Sequence, residues 1–121
     1  MRRLLIVDDD SEFRDFVNAV AVDMGFEVLG VGDGEEAEAA QKSFSPDLIL
    51  IDMVMPGLDG IEVMRKMADN AVNARIVLVS GYSQAYMNAA RAIATASCIA
   101  SVQTVTKPFA LDELRTILSQ S

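Results

Sequence analysis

The stretch Asp47-Leu48-Ile49-Leu50-Ile51-Asp52-Met53-Val54-Met55-Pro56-Gly57-Leu58-Asp59-Gly60 runs four apolar residues straight into an aspartate, then into a segment marked by proline and glycine. The apolar residues do not alternate with polar ones. A short continuous run of this kind suits a strand buried on both faces of a parallel sheet, where helices cover each side. Outward from it, the same pattern recurs at Leu4-Leu5-Ile6-Val7 and Ile76-Val77-Leu78-Val79, with a further apolar run over residues 26–31 and a weaker one over 102–106. Five strands are predicted.

The segments between the runs carry a different period. Phe13, Phe16, Val17, Val20, Ala21 and Met24 recur at helical spacing, and Gly25 supplies a stop. Asp33 with Glu36, and Asp59 with Glu62, have the spacing of an N-cap followed by an acidic residue at the third helical position. They open segments carrying Ala37, Ala40 and Phe44, and Ile61, Met64, Met67 and Ala68. Residues 83–97 are alanine-rich with Met87, Ala90 and Ala94 in register, and Leu111, Leu114 and Leu118 mark a last helix. Strand and helix thus alternate five times. Because crossovers are right-handed, this predicts an α/β fold: a doubly wound five-stranded parallel sheet with helices on both faces. In such sheets the site lies beyond the carboxyl ends of the strands.

Composition narrows the class. A chain of 121 residues has the length of one domain, here taken as 1–121. Its 51% hydrophobic and 23% charged residues are the balance of a soluble globular protein. A net charge of -8 with no basic patch argues against nucleic acid or an anionic membrane as partner, since phosphate contacts need clustered Lys and Arg. Cys98 is the only cysteine, which excludes an intramolecular disulfide and suits a reducing compartment; its own role is that of a small apolar residue. The first apolar run is too short for a signal-peptide core, and no stretch approaches the roughly 18 apolar residues of a membrane span. The expected location is the cytoplasm. The methionines at helical spacing are read as core.

Chemistry enters through the placement of the acids. Asp8, Asp9 and Asp10 directly follow the first strand and Asp52 ends the third, so both sets reach one edge of the sheet. Two unit charges about 5 Å apart at an effective dielectric of about 20 repel by roughly 3 kcal/mol. A divalent cation resolves that conflict. With no histidine and a single cysteine in the chain, an all-oxygen site favours Mg²⁺, or Mn²⁺ in its place, over zinc. The plainer alternative is a solvated acidic loop capping the next helix, the role assigned here to Asp10. Ser80 and Lys107 end the fourth and fifth runs at the same edge. A hydroxyl, an ammonium and a metal around Asp52 are the equipment for phosphoryl transfer, with Asp52 as nucleophile.

The residues 4–10 and 47–60, with Val79-Ser80-Gly81 and Lys107-Pro108-Phe109, resemble the signature blocks of response-regulator receiver domains, and the resemblance spans essentially the whole chain. It implies the flavodoxin-like (βα)5 receiver fold of two-component signalling. It further implies that Asp52 becomes an aspartyl phosphate, that Asp9 and Asp52 hold Mg²⁺ directly, that Asp8 acts through water, and that Val54 lends its backbone carbonyl. Ser80 would be the switch hydroxyl and Lys107 the cation paired with the phosphoryl group. The implied partners are a histidine kinase or histidine phosphotransfer protein and a downstream protein; the implied chemistry is self-phosphorylation and slow hydrolysis, not enzymatic turnover. Docking of a partner, or a homodimer, through the fourth helix, fifth strand and fifth helix is a further implied association, with Arg91 and Arg115 as candidate surface charges for either role or as plain solvated charges.

Two departures stand out. Ala100 and Ser101 replace the family's usual Gly-Ala, and Thr104 stands where an aromatic residue is usual, so a signal from Ser80 has to travel by another packing change. Two other readings compete. A degenerate receiver acting as an unphosphorylated scaffold is tied to the altered region 100–104. A haloacid-dehalogenase-like Mg²⁺ phosphatase is suggested by the Asp-x-Asp start, although Glu12 stands where such enzymes want Thr or Val.

Overall fold

Burial of the continuous apolar runs sets the layering of the molecule. The computed structural model describes residues 2–52, 54–55, 58–59, 75–80, 101–106 and 110–119. In chain order the elements are β1 (Arg3–Val7), α1 (Ser11–Asp23), β2 (Glu27–Val31), α2 (Gly34–Phe44), β3 (Leu48–Asp52), β4 (Val54–Met55), β5 (Leu58–Asp59), β6 (Arg75–Ser80), β7 (Ser101–Thr106) and α3 (Leu111–Ser119). Five strands pair in parallel in the order β2-β1-β3-β6-β7. The predicted helix carrying Ile61, Met64, Met67 and Ala68, the one over 83–97, and Cys98 lie outside the described residues.

The strand order reverses direction at β1. The chain steps from β1 to β2 on one side, then returns past β1 to β3 on the other. Two right-handed crossovers in opposite directions put α1 and α2 on opposite faces. On one face Leu4, Ile6, Leu48, Leu50, Val77 and Val79 join Val17, Val20 and Ala21 of α1 and Leu114, Ile117 and Leu118 of α3 in one core. The alternating residues Leu5, Val7, Ile49, Ile51, Ile76 and Leu78 are just as buried on the other face. There α2 packs on β1 and β2 with Ala37 and Ala40 inward. Each fully buried Leu or Ile contributes about 1.5–3 kcal/mol of transfer free energy, which makes this sheet a rigid platform.

The helix ends follow their sequence signals. Asp10 caps α1 by accepting from the amides of Glu12 and Phe13, and Asp33 caps α2 by accepting from the amide of Glu36 at 2.8 Å. Beyond α1, Gly25 takes φ +93°, a left-handed conformation open to glycine at no steric cost. The apolar faces differ from expectation at two places. Phe16 is 38% exposed and Leu111 41% exposed, while Ile117 takes the inward place on α3. Each stray residue has helical spacing but sits at the rim of its apolar arc. Asp59 ends the two-residue strand β5, whose antiparallel pairing with β4 is a hairpin that the Pro-Gly segment signalled only as a turn, and the helix expected after Asp59 lies outside the described residues.

Three arginines gather at the amino edge of the sheet. Arg75 donates to the carbonyl of Ile117 at 2.8 Å and Arg2 to that of Leu118 at 3.3 Å, so two guanidinium groups satisfy the end of α3. Partial burial, with the charge of Arg2 nearby, holds Arg75 below the usual arginine range. Arg3 lies over the ring of Phe44, donates to the Phe44 carbonyl at 2.8 Å and pairs with Glu27 at 3.2 Å. Among the described residues no helix is long and apolar enough to cross a membrane.

Candidate functional site

The site grows from the register of β1 and β3. Val7 pairs with Ile51, so the next residues along each strand, Asp8 and Asp52, emerge side by side at the carboxyl edge. This is the point where strand order reverses. The loops after two such strands diverge to opposite faces and leave a crevice between them. Carboxylate oxygens of Asp8, Asp9 and Asp52 lie within 4.8 Å of one another there, with Asp8 buried, Asp52 half-buried and Asp9 exposed. At that separation, two ionised carboxylates repel by about 3 kcal/mol if the effective dielectric is about 20.

Asp8 is fixed at three of its groups. Its amide donates to the Val31 carbonyl at 3.1 Å, extending the ladder with β2 by one residue. Its Oδ1 accepts from the Asp10 amide at 2.9 Å. Its carbonyl accepts from a guanidinium nitrogen of Arg14 at 2.6 Å. Asp8 is only 1% exposed, so its carboxylate is held in place by protein groups and not by bulk water. Asp10, by contrast, is engaged as the cap of α1 and stands outside the three-carboxylate cluster.

The remaining expected site residues follow from the register. Asp52 pairs with Val79, so Ser80 ends β6 one step further out; Ser80 in turn pairs with Thr106 at the end of β7. Lys107 comes next in sequence but lies outside the described residues, as do Gly57, Gly60 and Arg91. Val54 begins β4 immediately beyond the site. Thr104 pairs with Leu78 within β7, which begins at Ser101 despite the missing Gly-Ala. Arg115 stands 3.9 Å from Asp23, with both side chains more than half exposed.

The donor set suits a hard cation. Two oxygens on one Mg²⁺ stand at most about 4.2 Å apart. The carboxylates of Asp8, Asp9 and Asp52, within 4.8 Å of one another, form a cluster that could hold such an ion. Sequence reasoning missed Arg14. An arginine on an amphipathic helix reads as surface charge, and the one hint was its place four residues beyond the capping Asp10.

A doubly wound flavodoxin-like sheet with a carboxylate cluster at its switch point defines the class. Within that class, the chain belongs to the response regulator receiver domain family, whose sequence profile matches residues 4–119. It is 31% identical over 113 residues to the sporulation initiation phosphotransferase F of Bacillus subtilis, covering 93% of this chain and 87% of that protein. It is 39% identical over 72 residues to the DNA-binding response regulator MtrA of Mycobacterium tuberculosis, covering 59% of this chain but only 32% of that relative. Among solved structures, the receiver domain of the Francisella response regulator 1452 matches with TM-score 0.84 at 26% identity, covering 98% of this chain and 93% of that one. The chemotaxis protein CheY4 of Vibrio cholerae matches with TM-score 0.85 at 25% identity, covering 98% and 96%.

Proposed function

We propose that this receiver domain is a phosphorylation-controlled signalling module that accepts a phosphoryl group on Asp52 in a Mg²⁺-dependent reaction. The observation that carries the reading is the convergence of Asp8, Asp9 and Asp52 within 4.8 Å at the switch point. Asp9 and Asp52 would hold the ion directly, Asp8 through water, and Val54 by its carbonyl. When bound, Mg²⁺ supplies positive charge for the phosphoryl oxygens.

The chain's own residues perform the transfer. A carboxylate oxygen of Asp52 attacks the phosphorus of a phosphohistidine; the P–O bond forms as the P–N bond breaks, and the imidazole leaves. Asp52 is suited to this because it ends a strand buried on both faces, which points its carboxylate outward from a fixed base. Lys107 pairs with the phosphoryl oxygens and Ser80 donates its hydroxyl to one of them. Water later attacks phosphorus, the P–O bond to Asp52 breaks and inorganic phosphate is released. The donor is a histidine kinase or histidine phosphotransfer protein of the cytoplasm, and the output is altered binding of a protein partner. Thr104 offers no ring to move with Ser80, so that output runs through another repacking of β6 and β7.

Incubation with a small phosphodonor such as phosphoramidate, with Mg²⁺ or with a chelator, tests the reading. It predicts a labile phosphoprotein only when Mg²⁺ is present, and no turnover of a chromogenic phosphate ester. Sustained ester turnover would favour a phosphatase, and absence of phosphoprotein under both conditions would favour a scaffold.

A further inference from the structure

The side chain of Arg14 crosses from α1 to the carboxyl edge of the sheet over two glycines. A Cβ at Gly30 would stand 3.2 Å from Arg14 Cδ, and one at Gly32 would stand 3.4 Å from Arg14 Nη1. The guanidinium then meets the Asp8 carbonyl at 2.6 Å, the shortest hydrogen bond among those described above. Gly30 and Gly32 therefore form a slot that fits an arginine stem because neither residue has a side chain. The backbone of Asp8 is held at both of its adjoining peptide groups, by β2 at the Asp8 N–H and by Arg14 at the Asp8 carbonyl.

We propose that Arg14, seated in the Gly30/Gly32 slot, is a positioning residue that holds the Asp8–Asp9 turn so that both carboxylates face Asp52. The turn is where β1 ends and α1 has not begun, and there Arg14 anchors the Asp8 carbonyl from α1. Freed from Arg14, the peptide can rotate and carry the carboxylates on either side with it. Groups that orient metal ligands from behind are worth 10–100-fold in affinity when removed. The slot also ties β2 and its following loop to the site, because displacement of Gly30 or Gly32 moves the guanidinium. The inference rests on the metal-site reading above, and its sign separates it from a pure charge effect. A guanidinium acting only through its charge would oppose a dication, so its loss would tighten binding.

The test is Mn²⁺ binding to the full chain, followed by the electron paramagnetic resonance of free Mn²⁺ without phosphodonor, for wild type, Arg14→Ala, Arg14→Lys, Gly30→Ala and Arg14→Ala/Gly30→Ala. The expected result is binding weakened about 10-fold or more in Arg14→Ala. Partial recovery is expected in Arg14→Lys, and weakening in Gly30→Ala that adds little once Arg14 is gone. Arg14→Ala binding Mn²⁺ as well as or better than wild type would overturn the proposal, as would a lower melting temperature with unchanged affinity. If Arg14→Ala does not fold, Arg14→Lys and Gly30→Ala decide by the same signs. Wild type that binds Mn²⁺ but takes no phosphoryl group would refute the proposed function while leaving the role of Arg14 judged by affinity. Wild type without Mn²⁺ binding would refute both.

Discussion

At the scale of single residues, the acidic edge stores repulsion. Asp8, Asp9 and Asp52 stand within 4.8 Å of one another, and Asp8 is buried. Removing one charge should relieve the folded state when no cation is present. Asp9 is exposed and partly screened, so Asp9→Asn is expected to raise stability in a chelator by roughly 1 kcal/mol, less than the full Coulomb figure. The same substitution should abolish the rise in melting temperature that Mg²⁺ gives wild type. Thermal unfolding with and without Mg²⁺ checks both statements. The acids were legible in sequence because each follows an apolar run, and a residue following a buried strand must emerge at the sheet edge. Arg14 was not, because its meaning depends on Gly30 and Gly32 standing beneath it, which only the pairing of β1 with β2 brings about.

At the scale of elements, caps and carbonyl clamps fix where helices begin and end. Asp10→Ala removes the acceptor for two orphan amides of α1 and should cost about 1 kcal/mol in denaturant unfolding. Arg75→Met leaves the Ile117 carbonyl without its charged donor and should cost about 1–2 kcal/mol. Arg75 begins β6 and Ser80 ends it, so this loss occurs at the amino edge, with the rate of phosphorylation at Asp52 expected to stay as in wild type. The strands β1, β3 and β6 were readable from their uninterrupted runs, α1 and α3 from helical spacing, and α2 from its cap. The exposure of Phe16 and Leu111 was not, because helical spacing reports which residues share a face but not how far a neighbouring element reaches across it. The β4/β5 hairpin was equally hidden, since two-residue strands are too short to show a period.

At the scale of the whole molecule, one sheet supplies both the stability and the site. Leu50 is 1% exposed, in the core shared by α1 and α3, and lies two residues from Asp52 on the same strand. Leu50→Ala should cost about 2–5 kcal/mol in urea unfolding, with the spread set by how far the cavity collapses. Alternation of strands and helices revealed the fold class, and right-handed crossovers restrict the topology, but the order β2-β1-β3-β6-β7 depends on which strands actually meet. That order makes the acids at the ends of β1 and β3 neighbours, and on it the account of Asp52 rests. The most direct measurement is intact mass after incubation with Mg²⁺ and a small phosphodonor, for wild type and Asp52→Asn. The account predicts that wild type gains one phosphoryl group and Asp52→Asn gains none; an equal gain in Asp52→Asn would contradict it.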